Sequence, residues 1–300
     1  MTAKLRSYTD KPGFTKDYLK VRDFLIRINQ QHVINPGFVW GRWEWEFSLS
    51  YLDTASLSRM GIWEDGGKIV ALATYQSTLG WAYFSVDRDY EYLKPELLLY
   101  AKGHMVKDGS IMALLNDTDR PFQQFAFTQG FRPTQHKEQT AVLDITDETT
   151  RYTLPKGYSV TSLANTFDMH KYNRVLWKGF NHEAEGLAPV DDNWIEDRRI
   201  SVSGPHVNLN LNIAVVAPDG EFVSYCGMWY EPGTDYALVE PVATDPKYRK
   251  LGLGRAAVLE GVKRCGKLGA KQAIVGSSQQ FYYSIGFYPL CNETFWEYRG

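Results

Sequence analysis

Cysteine is scarce in this chain. Cys226, Cys265 and Cys291 are too few for a disulfide scaffold, and none stands in a C-x-x-C pair. No base is placed beside any of them in the sequence, so they read as small buried hydrophobes rather than nucleophiles. Six histidines are scattered without metal-ligand spacing, so no metal site is expected. Charge of one sign is lacking too: 33 basic and 35 acidic residues leave a formal net charge of −2. That balance offers none of the strongly basic surface that nucleic acid requires. No apolar run approaches the roughly 20 residues of a membrane span, and Met1 to Asp10 has no apolar core of a secretory signal. The expectation is a cytoplasmic chain that binds neither nucleic acid nor membrane. What is present is a hydrophobic fraction of 44% over 300 residues, enough for buried cores in about two domains.

The informative stretch is Arg249-Lys250-Leu251-Gly252-Leu253-Gly254. An apolar run, Ala237 to Ala243, and a turn at Asp245-Pro246-Lys247-Tyr248 precede it. A helical pattern with Val258, Val262 and Cys265 on one face follows. The order is strand, basic glycine loop, helix. Glycine lets a backbone approach a ligand closely, and the first N–H groups of a helix lack internal partners and carry partial positive charge. That combination suits a phosphate, and Arg249, Lys250 and Arg255 add full charges beside it. A P-loop requires Gly-Lys-Ser/Thr, but Gly254 is followed by Arg255-Ala256. Gly252-x-Gly254-x-x-Ala257 fits a dinucleotide fingerprint, yet the strand Gln272 to Val275 runs into Gly276-Ser277-Ser278 with no acid. The third pattern is Arg-x-x-Gly-x-Gly. Through it the chain resembles the GNAT superfamily of acyl-CoA N-acyltransferases, whose pyrophosphate loop has this form. Downstream, Phe281-Tyr282-Tyr283-Ser284-Ile285-Gly286-Phe287 is similar to the superfamily's closing helix-to-strand motif.

The resemblance implies an α+β fold of mixed, mostly antiparallel sheets flanked by helices, with acetyl-CoA as co-substrate. Pro241 stands inside an apolar strand, where it cannot donate to a ladder and so marks an edge or a bulge. In the superfamily the equivalent strand parts from its neighbour and admits the pantetheine arm. By resemblance Val242, Ala243 and Thr244 line that arm. Arg249, Lys250, Leu251, Gly252, Leu253, Gly254 and Arg255 surround the pyrophosphate. Acyl transfer to an amine needs a base for the amine, donors for the carbonyl oxygen and a proton for the leaving thiolate. Tyr282 matches the superfamily's tyrosine, and a phenol of pKa about 10 is protonated at neutral pH. Glu240, immediately before the proline, is the candidate base. His182 and Glu183, the one local His/acid pair of interest, are second choices, in the segment that covers the acceptor in this superfamily. Tyr225 and Trp229 share one face of the preceding strand, where they either line an acceptor pocket or pack against a helix. The expected acceptor is a primary amine on a small molecule, and the expected assembly a monomer or homodimer. A CoA-binding sensor or assembly module without catalysis, and a dinucleotide-binding enzyme, remain as alternatives.

A worn internal repeat accompanies the motif. Gln123-Gln124-Phe125 and Gly130-Phe131 match Gln279-Gln280-Phe281 and Gly286-Phe287 at a constant shift of 156. Val86 to Tyr90 parallels Thr244 to Tyr248, and Gly67 to Val70 parallels Gly220 to Val223, in the same order. Two copies of one fold are expected, divided near Asp147 to Thr150: a degenerate domain over 1–150 and a CoA-binding domain over 151–300. Where the second copy has Arg249, Gly252 and Gly254, the first has Glu91, Lys94 and Glu96, with Pro95 in the loop. Acids without glycines repel a pyrophosphate and hold the backbone away from it. A crystal soaked in CoA is therefore expected to show density at the second copy's loop only; density in the first copy would refute this.

Overall fold

The computed structural model describes residues 3–182, 185–186 and 192–300, with backbone only at 192–194. In the first half the elements are β1 (Lys4–Ser7), α1 (Lys16–Asn29), α2 (Trp40–Phe47), β2 (Gly61–Asp65), β3 (Lys68–Tyr75), β4 (Trp81–Val86), α3 (Lys94–His104), β5 (Ser110–Asn116), α4 (Arg120–Thr128) and β6 (Arg132–Asp144). The second half continues with β7 (Ser159–Ser162), α5 (Met169–Gly179), α6 (Asp192–Ser201), β8 (Asn212–Val216), β9 (Phe222–Tyr230), β10 (Tyr236–Thr244), α7 (Leu253–Leu268), β11 (Gln272–Val275), α8 (Gln280–Ser284) and β12 (Tyr288–Arg299). These form two compact units. One comprises residues 1–140, 276–278 and 289–300; the other comprises 141–275 and 279–288. No helix among the described residues is long and apolar enough to cross a membrane.

The first unit's sheet runs β1-β2-β3-β4-β5-β12-β6, with β4 and β5 parallel. Thr15 caps α1 by accepting from the Tyr18 amide at 3.3 Å. The helix then buries Tyr18, Val21, Phe24 and Leu25. Tyr18 stacks on Trp43 of α2, and its hydroxyl donates to the fully buried Glu44 carboxylate, which also lies 3.5 Å from Arg22 Nε. The sequence alone predicts a final strand over Thr294 to Tyr298 in the second domain; β12 is longer, and it pairs antiparallel with β5 over Glu293–Arg299 in the first unit.

The second unit's sheet runs from the last residues of β6 through β11, β10, β9 and β8 to β7. Ala141–Asp144 pair antiparallel with β11, β11 pairs parallel with β10, and the remaining neighbours are antiparallel. Every residue of β9 is buried, so this strand is covered on both faces. Cys226 and Met228 join the core under α7, while Phe222 and Tyr225 join the core under α5. Val258, Val262 and Cys265, expected on one face of α7, are all fully buried there. The apolar spacing of Met169, Tyr172, Val175 and Leu176 predicts a helix over Leu163 to Phe180, but α5 begins later, at Met169. Leu163 to Thr166 instead form a turn in which Ser162 O accepts from the Asn165 and Thr166 amides, and Asp168 caps α5 by accepting from the Lys171 amide at 3.0 Å.

Glycine 261 sets the spacing of α7 on the sheet: a Cβ there would lie 2.7 Å from Met228 Cγ. Gly261→Val is expected to over-pack this contact and to destabilise the second unit by about 1–3 kcal/mol. A lower urea midpoint for that unit's unfolding transition would show it, and an unchanged midpoint would contradict it.

Candidate functional site

The second unit's site starts from one irregular strand. β10 and β11 pair only from Tyr236↔Gln272 to Leu238↔Ile274. On its other side β10 pairs with β9, but the register shifts between Val239↔Met228 and Val242↔Cys226. Two residues, Glu240 and Pro241, therefore face the single residue Gly227, which is a β-bulge as the proline implied. The glycine is required: a Cβ at 227 would sit 2.6 Å from Glu240 O and 3.0 Å from Pro241 Cδ. Trp229 reinforces the bulge, its Nε1 donating to Glu240 O at 3.0 Å. Beyond Leu238 the edge of β10 that faced β11 has no strand beside it among the described residues, which leaves backbone groups open to an extended ligand.

At the end of β10 the chain turns into the glycine loop. Asp245 caps the turn Pro246–Tyr248, accepting from the Lys247 amide at 3.0 Å, and lies 3.2 Å from Lys178 Nζ. Lys250 (φ 67°) and Gly252 (φ 79°) then both take left-handed conformations, which is uncommon for lysine and marks a constrained loop. The two glycines differ in what they provide. A Cβ at Gly252 would meet nothing within 4 Å, so this residue supplies its dihedral and an accessible backbone. A Cβ at Gly254 would lie 3.0 Å from Thr244 Oγ1 and 3.3 Å from the Phe281 ring, so this glycine lets α7 begin hard against the strand end. The amides of Leu253, Gly254 and Arg255 open α7 without partners inside the helix.

These elements enclose a cavity of about 840 Å³. Val242, Ala243, Thr244, Arg249, Lys250, Gly252, Leu253, Gly254 and Arg255 line it, and Tyr282 joins them from α8. Leu251, expected with them, is absent from the lining and is exposed. Arg249 also binds the loop to the end of α5. Its guanidinium donates to Thr244 O (3.3 Å), Gly179 O (3.0 Å) and Asn181 Oδ1 (3.1 Å). Arg255 donates to Arg151 O at 3.3 Å. The sequence reading missed Gly179, Phe180 and Phe281. A Cβ on Gly179 would lie 2.6 Å from that of Ala243, so only glycine lets α5 approach closely enough for Phe180 and Asn181 to wall the cavity.

Tyr282 is 7% exposed, packed edge-on against Phe281 and Phe287. Burial pushes its phenol pKa up, and the nearby Cys226 and Glu240 push in the same direction. The group is therefore a neutral hydrogen-bond donor at any ordinary pH. Glu240 stands on the bulge within electrostatic range of that phenol, and its side chain is outside the cavity lining. Tyr225 departs from the acceptor-pocket alternative. It is fully buried, edge-on to Tyr172 at 4.9 Å, and donates to Asn212 Oδ1, because α5 covers that face of β9. Trp229, on the same face, is taken up by the bulge. His182 packs 5.0 Å from the Trp177 ring and 3.5 Å from the Glu185 carboxylate, beyond the cavity wall formed by Phe180 and Asn181. Glu183 lies outside the described residues.

Comparison with known proteins agrees with this geometry. Residues 175–290 match the sequence model of the Acetyltransferase (GNAT) family. Among curated proteins no sequence matches the chain. A tandem GNAT protein from the clavulanic acid biosynthesis pathway, solved without acetyl-CoA, is similar in structure. Its TM-score is 0.62 at 13% identity, over 99% of this chain and 98% of that one. A GCN5-related N-acetyltransferase from Sphaerobacter thermophilus gives 0.60 at 12% identity, over 99% and 95%. One from Kribbella flavida gives 0.51 at 14%, over 77% and 87%. At these identities the likeness establishes the fold, here extending over both halves of the chain.

Gly227→Val is expected to collapse the bulge and close the gap beside β10. CoA binding by titration calorimetry should weaken about tenfold or more, a loss of about 1.4 kcal/mol. Unaltered affinity would show that the bulge does not make the site.

Proposed function

We propose that the second unit, whose residues 175–290 match the model of the GNAT acetyltransferase family, transfers an acetyl or other short acyl group from CoA to a primary amine of a small molecule. The observation that carries this reading is the splayed β10 leading directly into the glycine loop, both on one cavity with Tyr282. The residues present fit the co-substrate. Gly252 leaves an open backbone where a Cβ would meet nothing, the first amides of α7 suit a pyrophosphate, and Lys250 and Arg255 add charge at the same wall. The open edge of β10 suits the amides of a pantetheine arm, as an added strand would.

Each residue's share of the chemistry follows from its place. CoA supplies the activated acyl group as a thioester. Backbone N–H groups along the open β10 edge would be available to the thioester carbonyl oxygen as it gains charge. Tyr282, held neutral by burial, donates a hydrogen bond to the departing sulfur. The dry wall that raises the phenol pKa also raises the proton affinity of a thiolate, so transfer to sulfur is not opposed by burial. Glu240 is the base we assign to the amine, directly or through a water, because it is the carboxylate on the bulge whose charge reaches the Tyr282 phenol. The carboxylate's place outside the cavity lining favours the water-mediated route. Arg249 positions the loop through its three hydrogen bonds and adds charge to the cavity.

The Tyr282→Phe variant is expected to lower kcat about 100-fold or more, the size of a lost proton donor. CoA affinity should stay within about twofold, since the ring and its packing remain. The measurement is thiol release from acetyl-CoA over a panel of small amines, with calorimetry for CoA. Equal turnover in both proteins would remove Tyr282 from the mechanism. Heat with CoA but no thiol release for any amine would favour a CoA-binding module without catalysis.

A further inference from the structure

The first unit keeps a cleft at the place equivalent to the second unit's cavity, with opposite electrostatics. β4 and β5 pair in parallel only at Trp81↔Met112 and Ala82↔Ala113, as β10 and β11 do before they part. Beyond that point a cavity of about 370 Å³ opens between them. Its entrance is not a phosphate cradle. Lys94, at the start of α3, is held 2.6 Å from Asp119 and 3.4 Å from Glu91, and Pro95 follows it. Its wall is aromatic, with Phe38, Tyr83, Phe84 and Phe122 in two close pairs at 5.3 Å and 5.9 Å.

Into this cavity β12 brings one carboxylate, Glu293. The residue is 9% exposed and makes no hydrogen bond among the described residues. Space is kept for it: a Cβ on Gly37 would lie 2.5 Å from Glu293 Oε2. Two cations, Arg88 and Lys94, line the same cavity, Lys94 paired with Asp119 and Glu91, and neither is among the charged groups that shift Glu293, which are Glu138, Arg42 and Asp117. From α2, Arg42 is spent on Glu138 at 2.8 Å and on Gly37 O at 2.9 Å. From β6, Glu138 also accepts from the Tyr83 hydroxyl, and after β5, Asp117 accepts from Thr294. Three carboxylates thus face one guanidinium, while Cys291 on β12 stays a neutral thiol, pushed up to about 12 by burial and by Glu293. Burial, then Glu138, pushes the Glu293 carboxyl up to about 7, with Asp117 adding and Arg42 opposing. A buried acid left unpaired in an aromatic cavity lacks a cation, and ammonium groups are recognised by this combination of carboxylate and ring faces.

We propose that the first unit's cavity binds a small organic ammonium ion, its nitrogen on Glu293 and its apolar body on Phe84 and Phe122. The site is separate from acyl transfer in the second unit and stands whether or not that activity is found. The test is calorimetric titration of the full chain with phenethylammonium chloride, with neutral 2-phenylethanol as the uncharged partner probe. Wild type is expected to bind the ammonium at least about tenfold more tightly than the alcohol. Glu293→Gln, which keeps the shape and removes the charge, is expected to lose that preference. A proton competes for Glu293, so the ammonium should bind wild type up to about tenfold more tightly near pH 8 than near pH 6, with the dependence gone in the variant. The alcohol comparison needs no variant, so a misfolded Glu293→Gln would not rescue the idea. Equal binding of ammonium and alcohol, ammonium binding unaffected by Glu293→Gln in a folded variant, or no ammonium binding at millimolar concentration would each overturn it.

Discussion

The second unit's site depends on a side chain that is not there. Glycine 227 leaves room for two residues of β10 to bulge toward it, and a Cβ would enter the Glu240 carbonyl at 2.6 Å. The bulge re-aims the strand, so β10 leaves β11 after Leu238 and an edge opens inside an otherwise paired sheet. Backbone without a ladder partner is costly in a buried setting unless something satisfies it. An extended ligand running along β10 would do so, and the same strand delivers that ligand to the glycine loop that follows it. Trp229 and Arg249 hold the two ends of this arrangement, one through the Glu240 carbonyl and the other through Gly179 and Thr244.

Much of this was legible in the sequence because it is local. The sequence alone predicts strands over Phe222 to Tyr230 and Tyr236 to Thr244, and β9 and β10 take those ranges, since each is a mostly apolar run between turn signals. The loop was legible because left-handed backbone selects glycine, and Pro241 announced the bulge because proline cannot serve a ladder. What was not legible is pairwise. Nothing in the run Phe222 to Tyr230 says that Gly227 faces Glu240, or that Tyr225 faces α5 rather than a ligand. Alternation gives the shared face of Tyr225 and Trp229 but not what covers it. Gly179 carries no signal of its own in the sequence, and its importance comes from Ala243, distant in sequence, whose Cβ is 2.6 Å from where a Cβ on Gly179 would lie.

The two halves set differently charged side chains on one backbone plan. In both, a parallel strand pair begins together and then parts. In the second unit the gap leads to a left-handed, glycine-bearing turn with Lys250 and Arg255 on the cavity. In the first it leads to Lys94 locked between Asp119 and Glu91, and the buried carboxyl of Glu293 lines the cavity. The splay is set by strand geometry and survives the loss of the loop. The charge of each cavity is set by a handful of side chains at the rim and wall, which differ without disturbing the sheet.

Sheet membership also separates what composition marks from what pairing decides. The polar stretch Asp147 to Thr150 reads as a boundary because its backbone needs no partners from a core; Thr146 and Thr149 satisfy much of it locally. Yet the change from one compact unit to the other falls earlier, inside β6, between Thr140 and Ala141. Residues 141–144 cover the edge of β11, and Pro289 to Gly300 return to complete the first unit's sheet beside β5. An uncovered β11 would expose a flat apolar edge, which a sheet in water must protect. Strand exchange meets that need in both units at once, and no local signal in the sequence records it, because the partner of each edge is more than a hundred residues away.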